Sequence, residues 1–323
     1  MNHLRRAASM LAAVVLVSML GIWAGGCKKQ EKKSTQTSSV LSESQTVYPL
    51  DFTDSYGNSV RIESSPQRIV SCGPAITELM YALGQQDKLV GRTDYCNYPE
   101  ACLEIASVGA IDTPSVETIV ALQPDLVIAS SVFSKESYEQ LTGFGIKVIC
   151  FNEERDPDGV YHMIASLGQV MNANEEASSA IAEMKSKIET VQSRIHASQQ
   201  AEPSVYYVVS FGEYGDFTCG GDTYIHQMIT LAGGRNIAED VMGWSFSVDQ
   251  LIEKDPDIII VPLWAKEDFM KTAPYDQLSA VKNGKVYSFD TDMLDRQGVR
   301  NADAIEELAS IFYPEAFDDE KES

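Results

Sequence analysis

From Arg68 onward the chain alternates two patterns. Short apolar runs bounded by turn formers, at residues 69–71, 88–91, 126–129 and 147–150, are strands. Between them, apolar positions recur every three or four residues at 75–83, 116–122 and 135–144, the period of a helix packed on one face. Such strand–helix alternation predicts a largely parallel sheet covered by helices on both faces. Ahead of it, Asp54-Ser55-Tyr56-Gly57-Asn58 has the composition of a hairpin turn. The rhythm then breaks. Residues 175–198 contain no glycine and no proline, and Ala177, Ile181, Met184, Ile188, Val191 and Ile195 follow one another at spacings of 4, 3, 4, 3 and 4. That is one unbroken helical stripe, and at about 1.5 Å per residue it runs roughly 35 Å. A second series follows, with strands at 205–210, 258–261 and 286–289 and helices at 224–231, 248–254 and 301–312.

The two series share an internal repeat. Residues 115–128, Ser-Val-Glu-Thr-Ile-Val-Ala-Leu-Gln-Pro-Asp-Leu-Val-Ile, align without a gap on residues 247–260, Ser-Val-Asp-Gln-Leu-Ile-Glu-Lys-Asp-Pro-Asp-Ile-Ile-Ile. Five of the 14 positions are identical and five more are conservative exchanges. Each window encodes a capped helix, a Pro-Asp turn and a buried strand, and Ser247 with Gln250 has the spacing of a capping box. The fold class expected is therefore α/β, with two Rossmann-like lobes joined by a single long rigid helix. A cleft between two like lobes is the default place for a ligand.

The N-terminus changes the picture of where the protein works. Arg5 and Arg6 precede an apolar run over residues 10–23, and Ala24-Gly25-Gly26-Cys27 then resembles a lipoprotein processing site. The expectation is a signal peptide over 1–26 and lipid on Cys27, with Ala24 departing from the usual leucine three residues before the cysteine. A flexible tether over 27–47 then lifts the folded part off the membrane. The domain boundaries expected beyond it are an N-terminal lobe at 48–157, linker helices at 158–200, a C-terminal lobe at 201–317 and an acidic tail at 318–323. The protein is thus expected to be extracytoplasmic and anchored to the cell membrane. A formal charge of −22, from 47 acidic and 25 basic residues, repels polyanions and argues against a nucleic-acid partner. Of the remaining cysteines, Cys72, Cys96, Cys102, Cys150 and Cys219, none has zinc-ligand spacing. Export permits disulfides, and the spacing of Cys96 and Cys102 leaves one open between them.

Catalytic signatures are missing: there is no GxSxG, HExxH or GxxxxGK[ST]. Of the histidines beyond the leader, His162 and His196 are expected in solvent, and His226 alone is placed to face the cleft. That scarcity argues against an exported enzyme on the same scaffold and against a site for a bare metal ion. No resident cofactor is expected. The strand-end loops instead carry aromatic and polar residues: Tyr95 in Thr93-Asp94-Tyr95-Cys96-Asn97-Tyr98, then Phe217, Trp244, and Asp292 to Arg296. In open α/β sheets ligands bind at such loops. Aromatic rings there suit a large flat or partly apolar ligand, and Arg296 suits an anionic group.

Several stretches together resemble the cobalamin, ferric-siderophore and haem class of periplasmic binding proteins, which serve ABC importers. They are Pro66-Gln67-Arg68-Ile69-Val70-Ser71, Pro74-Ala75-Ile76-Thr77-Glu78-Leu79, Val90-Gly91 with Asn97-Tyr98-Pro99, and the two repeats. The resemblance covers residues 48–314 and implies the class III periplasmic binding protein fold. It implies an ABC permease and its ATPase as partners, with a small metal chelate as cargo. In the vitamin B12 members an acid on each lobe meets permease arginines, which carries over to Glu117 and Asp249. The pocket residues carry over to Tyr95, Phe217, Trp244, Asp292 and Arg296. Near Ile111 the B12 members have a tryptophan, a departure in this chain. For a haem the axial ligand would fall to Tyr95, Tyr214 or His226. Siderophore members line the cleft with cations, for which Arg92, Arg235, Arg296 and Arg300 stand here. A surface sensor that binds the same kind of ligand without transport is the remaining alternative.

Overall fold

The computed structural model describes residues 45–318. Cys27, the leader, most of the tether and the last five residues lie outside the described residues. The chain opens with a two-stranded antiparallel hairpin, β1 (Leu50–Thr53) and β2 (Ser59–Ile62). Its turn is held by Asp54, whose carboxylate accepts from the amides of Tyr56, Asn58 and Cys150, and Gly57 adopts a left-handed φ of 82°.

The N-terminal lobe is built on β3 (Ile69–Cys72), β4 (Leu89–Arg92), β5 (Leu126–Ala129) and β6 (Val148–Cys150), with α1 (Pro74–Ala82), α2 (Val116–Leu122) and α3 (Lys135–Gly143) between them. The C-terminal lobe carries β7 (Ser204–Tyr207), β8 (Arg235–Asn236), β9 (Ile258–Pro262) and β10 (Val286–Phe289). Two helices, α4 (Pro157–Met171) and α5 (Asn174–Ser198), join the lobes. The C-terminal lobe adds α6 (Tyr224–Leu231), α7 (Val248–Lys254), α8 (Lys266–Lys271), α9 (Ser279–Lys282), α10 (Asp292–Asp295) and α11 (Asn301–Phe312). Sequence patterning gave no sign of β8, which is two residues long.

Both sheets are parallel and share one topology. Their strand orders are β4-β3-β5-β6 and β8-β7-β9-β10, so in each lobe the first strand lies between the second and the third. The repeat explains this. Ser115 and Ser247 cap α2 and α7, and Ser247 forms the full capping box with Gln250. Both helices end on a left-handed residue, Gln123 at φ 49° and Asp255 at φ 36°. The repeated Pro-Asp then ties the third strand to the first. Asp125 accepts from the amides of Gln67 and Arg68, at the entrance to β3. Asp257 accepts from the amide and hydroxyl of Ser204, at the entrance to β7.

The outer face of each sheet has its own core, but the inner faces share one. It runs from Leu79 and Ile149 through Leu167, Met184 and Val191 to Ile260, Ile305 and Leu308. The α5 stripe lies along this joint core. Ala177, Ile181, Met184, Ile188 and Val191 are buried, and Ile195 is half-buried against Gly233. Each buried aliphatic side chain contributes about 1.5–3 kcal/mol. Gly168 is required where α4 crosses α5, because a Cβ there would lie 2.5 Å from that of Ala177. The lobes are thus joined through packed apolar surface over the length of α5, in addition to the chain connection.

Candidate binding cleft

The cleft lies at the carboxyl ends of the strands, where β3 and β5 form the switch point of the N-terminal sheet. A hollow of about 190 Å³ there is lined by Gly73, Ser130, Ser131, Ile111 and Arg296. A larger hollow of about 430 Å³ continues it and is lined by Asp222, Tyr224, Trp244 and Arg155. The two share Asn152, Glu153, Asp295 and Gln297. Gln297 fixes this floor by exchanging two hydrogen bonds with the backbone of Glu154, of 2.8 and 2.7 Å.

The five expected ligand residues fall into two groups. Tyr95, Asp292 and Arg296 meet at the junction of the lobes. Arg296 donates to Glu78 at 2.9 Å and to Asn97 at 2.6 Å, pairs with Asp292 at 2.7 Å, and reaches the Tyr95 carbonyl at 3.4 Å. Arg300 adds two 2.8 Å bonds to the same Glu78 carboxylate and sits 4.1 Å above the Tyr98 ring. Glu78, Arg296 and Arg300 retain only 8, 12 and 11% of their side-chain exposure. Two guanidinium groups from one side of the cleft thus clasp one carboxylate from α1 on the other. The role expected of Arg296, pairing with an anionic group of the ligand, is already filled by protein carboxylates. The Tyr95 ring remains exposed.

Phe217 and Trp244 form the second group, on the C-terminal lobe. Phe217 bridges both Ser210 and Ser245, and Thr218 donates to the Trp244 carbonyl at 2.8 Å. The backbones approach so closely that a Cβ on Gly220 would lie 2.5 Å from the carbonyls of Val241 and Gly243. Asp222 closes the loop by accepting from the Gly243 amide at 2.6 Å. Trp244 is therefore held on a braced loop with its ring open to the larger hollow.

The cleft is acidic. Glu153, Glu154, Asp222 and Asp295 line it, against the paired Arg296 and against Arg155, which is exposed and has no ion pair among the described residues. Solvent reaches Asp295, but protein surrounds its carboxyl on most sides. That desolvation, reinforced by Asp292, pushes the carboxyl up to about 6. The other expected cations stand elsewhere. Arg92 is spent on the carbonyls of Cys102, Thr93 and Leu103, and Arg235 opens β8 at the far end of the sheet.

Three expectations need correction or qualification. His226 lies against the Asn236 side chain at 3.4 Å and lines neither hollow. Cys96 and Cys102 are both free; the Cys102 thiol donates to the Cys96 carbonyl at 3.4 Å and the Thr77 hydroxyl donates to the Cys96 sulfur. Burial pushes the Cys150 and Cys219 thiols up to about 12, the behaviour of small core residues. The side chain of Tyr214 lies outside what the structure describes. Sequence reasoning also missed Glu78, Asn152, Glu153 and Gln297. An acid inside the apolar run of α1 was the one available signal.

The acids expected to meet a permease stand apart from the cleft floor. Glu117 and Asp249 each occupy the first turn of their helix, exposed and without an ion pair among the described residues. Because α2 and α7 run opposite to the strands they precede, both acids sit at the cleft end of their lobes. Each also complements its helix N-terminus, worth about 0.3–1 kcal/mol.

Two like α/β lobes, a shared core and a cleft floored by strand-end loops define a solute-binding protein of the two-lobed extracytoplasmic type. The chain matches the periplasmic binding protein family over residues 69–293 and belongs to it. It is 32% identical to YvrC, a substrate-binding lipoprotein of an ABC transporter from Bacillus subtilis, over 96% of this chain and 97% of that one. A cobalamin-binding protein of Halobacterium salinarum is 28% identical over 82% of this chain and 74% of its own length. Among solved structures, a periplasmic haem-binding protein from Pseudomonas aeruginosa superposes with a TM-score of 0.70 at 26% identity, covering 77% of this chain and 93% of that one. The protein is a solute-binding component of the ABC-importer class and not an enzyme.

Proposed function

We propose that the solute is a corrinoid, carried as cargo with no resident cofactor, and that the protein delivers it from the membrane surface, anchored through lipid on Cys27, to an ABC permease and its ATPase. One observation carries the choice within the metal-chelate class. The cleft is lined by four carboxylates, while Arg296 and Arg300 are paired with Glu78, Asp292 and Asp290. A ferric tris-catecholate brings several negative charges and would meet repulsion there. A haem brings two carboxylates, which would meet the same repulsion. A corrinoid has a neutral or cationic metal centre and a rim of amides. Those amides match Asn152, Ser130 and Ser131, which line the hollows, and the apolar ring faces match the exposed rings of Tyr95, Phe217 and Trp244. The resemblance to a cobalamin-binding protein over most of the chain supports the same choice. Glu117 and Asp249 are the proposed permease contacts, one on each lobe.

Equilibrium binding of cyanocobalamin, haemin and a ferric tris-catecholate to the purified protein tests this. Cyanocobalamin should bind with the highest affinity. Tighter binding of either other chelate overturns the assignment.

A further inference from the structure

The repeat makes a statement about the cleft that no single lobe makes. Its two copies are offset by 132 residues, since Pro124 aligns with Pro256 and the starts of β5 and β9, Leu126 and Ile258, keep the same offset. Carried a few residues further, the offset places Pro262, Leu263 and Trp264 where the N-terminal lobe has Ser130, Ser131 and Val132. Those three line the cleft hollow. Their counterparts leave β9 at the switch point of the second sheet, where the strand order reverses between β7 and β9.

What stands there is unusual chemistry for a surface. Leu263 is 64% exposed and Trp264 74%, facing no core cluster. The neighbouring strand end continues the apolar edge. Val208 donates to the Ile260 carbonyl, so Val209 lies alongside the end of β9, and Val209 in turn donates to Phe217. Phe217 bridges Ser245, next to Trp244. Trp264, Leu263, Val209, Phe217 and Trp244 thus succeed one another along the carboxyl edge of one sheet, and all are exposed. A single exposed apolar residue needs no explanation, but an ordered row of them marks a binding surface.

We infer that Trp264, with Leu263 beside it, is a ligand contact. It stacks on the apolar face of the bound chelate from the C-terminal lobe, opposite Val132, and sets the preference for a wide flat ligand. This rests on the function proposed above. An indole has the area for such a face and loses little conformational freedom in binding.

The test uses the full-length chain purified in detergent, titrated with cyanocobalamin and with haemin. Trp264→Ala should weaken binding of the preferred chelate at least tenfold, and Trp264→Phe should restore most of it. The melting temperature of both variants should match the parent, because the ring supports no core. Parent-like affinity in Trp264→Ala overturns the inference. That holds even if cellular uptake is lost, which would assign the ring to the importer instead. If the unaltered protein binds neither chelate, the proposed function fails and this inference goes with it. If it binds one of them, the two variants decide the role of Trp264 alone.

Discussion

The two lobes are built to one plan and finished differently. Each has a parallel sheet with the first strand between the second and third, a serine-capped helix opening on Val and an acid, and a Pro-Asp turn whose carboxylate anchors the entrance of the neighbouring strand. At the cleft the likeness stops. At the positions that the repeat makes equivalent, the N-terminal lobe has Ser130 and Ser131, small and polar, while the C-terminal lobe has Pro262 and Leu263, followed by Trp264, and Leu263 and Trp264 are exposed. The residues held in common cap the helix and anchor the strand entrance, and the residues that follow the third strand into the cleft loops differ. One scaffold is therefore used twice, with different side chains at its equivalent strand ends.

The greatest effect is expected where the lobes act alike on a partner. Glu117→Arg with Asp249→Arg should reduce uptake to background, because like charges set against permease arginines cost several kcal/mol. Cyanocobalamin affinity in solution should stay at the parental value. Uptake that survives the double reversal would remove these acids from docking. Loss of ligand binding or of folding would instead make them helix caps and no more.

At the junction, where the lobes must differ, Glu78→Ala should lower unfolding free energy in urea by about 3–5 kcal/mol, since two buried guanidinium groups lose their shared carboxylate. A loss below about 1 kcal/mol would mean that the joint core alone holds the lobes together.

The smallest effect sharpens the symmetry itself. Asp125→Ala and Asp257→Ala should each cost about 1–2 kcal/mol, and by similar amounts, because each removes two hydrogen bonds to a strand entrance. Hydrogen bonds from Ser204 hold the Asp257 carboxyl below the usual carboxylate range. Its contribution is therefore present above the unfolded value near 3.8 and is lost as pH falls through the lower folded value. Comparing Asp257→Ala with the parent at pH 7 and pH 3 checks the sign: the difference should shrink at the lower pH. Unequal losses in the two lobes at pH 7 would mean that the repeated Pro-Asp has only one structural use.

Much of the architecture was legible because it rests on local rules. The bounds of α2, β5, α6, α7, β10 and α11 coincide with those expected from patterning. Serine caps, left-handed stops and four-residue apolar runs act within a turn or two of chain. The short strand β8 was missed because two residues carry no period. The site was legible by residue type and loop, but not by partner. Tyr95, Asp292 and Arg296 were singled out without any sign that Glu78, more than 200 residues from Arg296, would claim the arginine.

The sequence by itself determined the strands, the caps, the long α5 stripe and the twofold repeat, all of which follow from residue spacing along the chain. Only the tertiary structure decided which charges remain available to a ligand. It spent Arg296 and Arg300 on Glu78, turned His226 onto Asn236, left the five cysteines unpaired, and gathered Asn152, Glu153, Asp295 and Gln297 into one floor. The physical reason is that a buried charge must find a counter-charge, and that partner is set by how two lobes pack, not by where it stands in the chain.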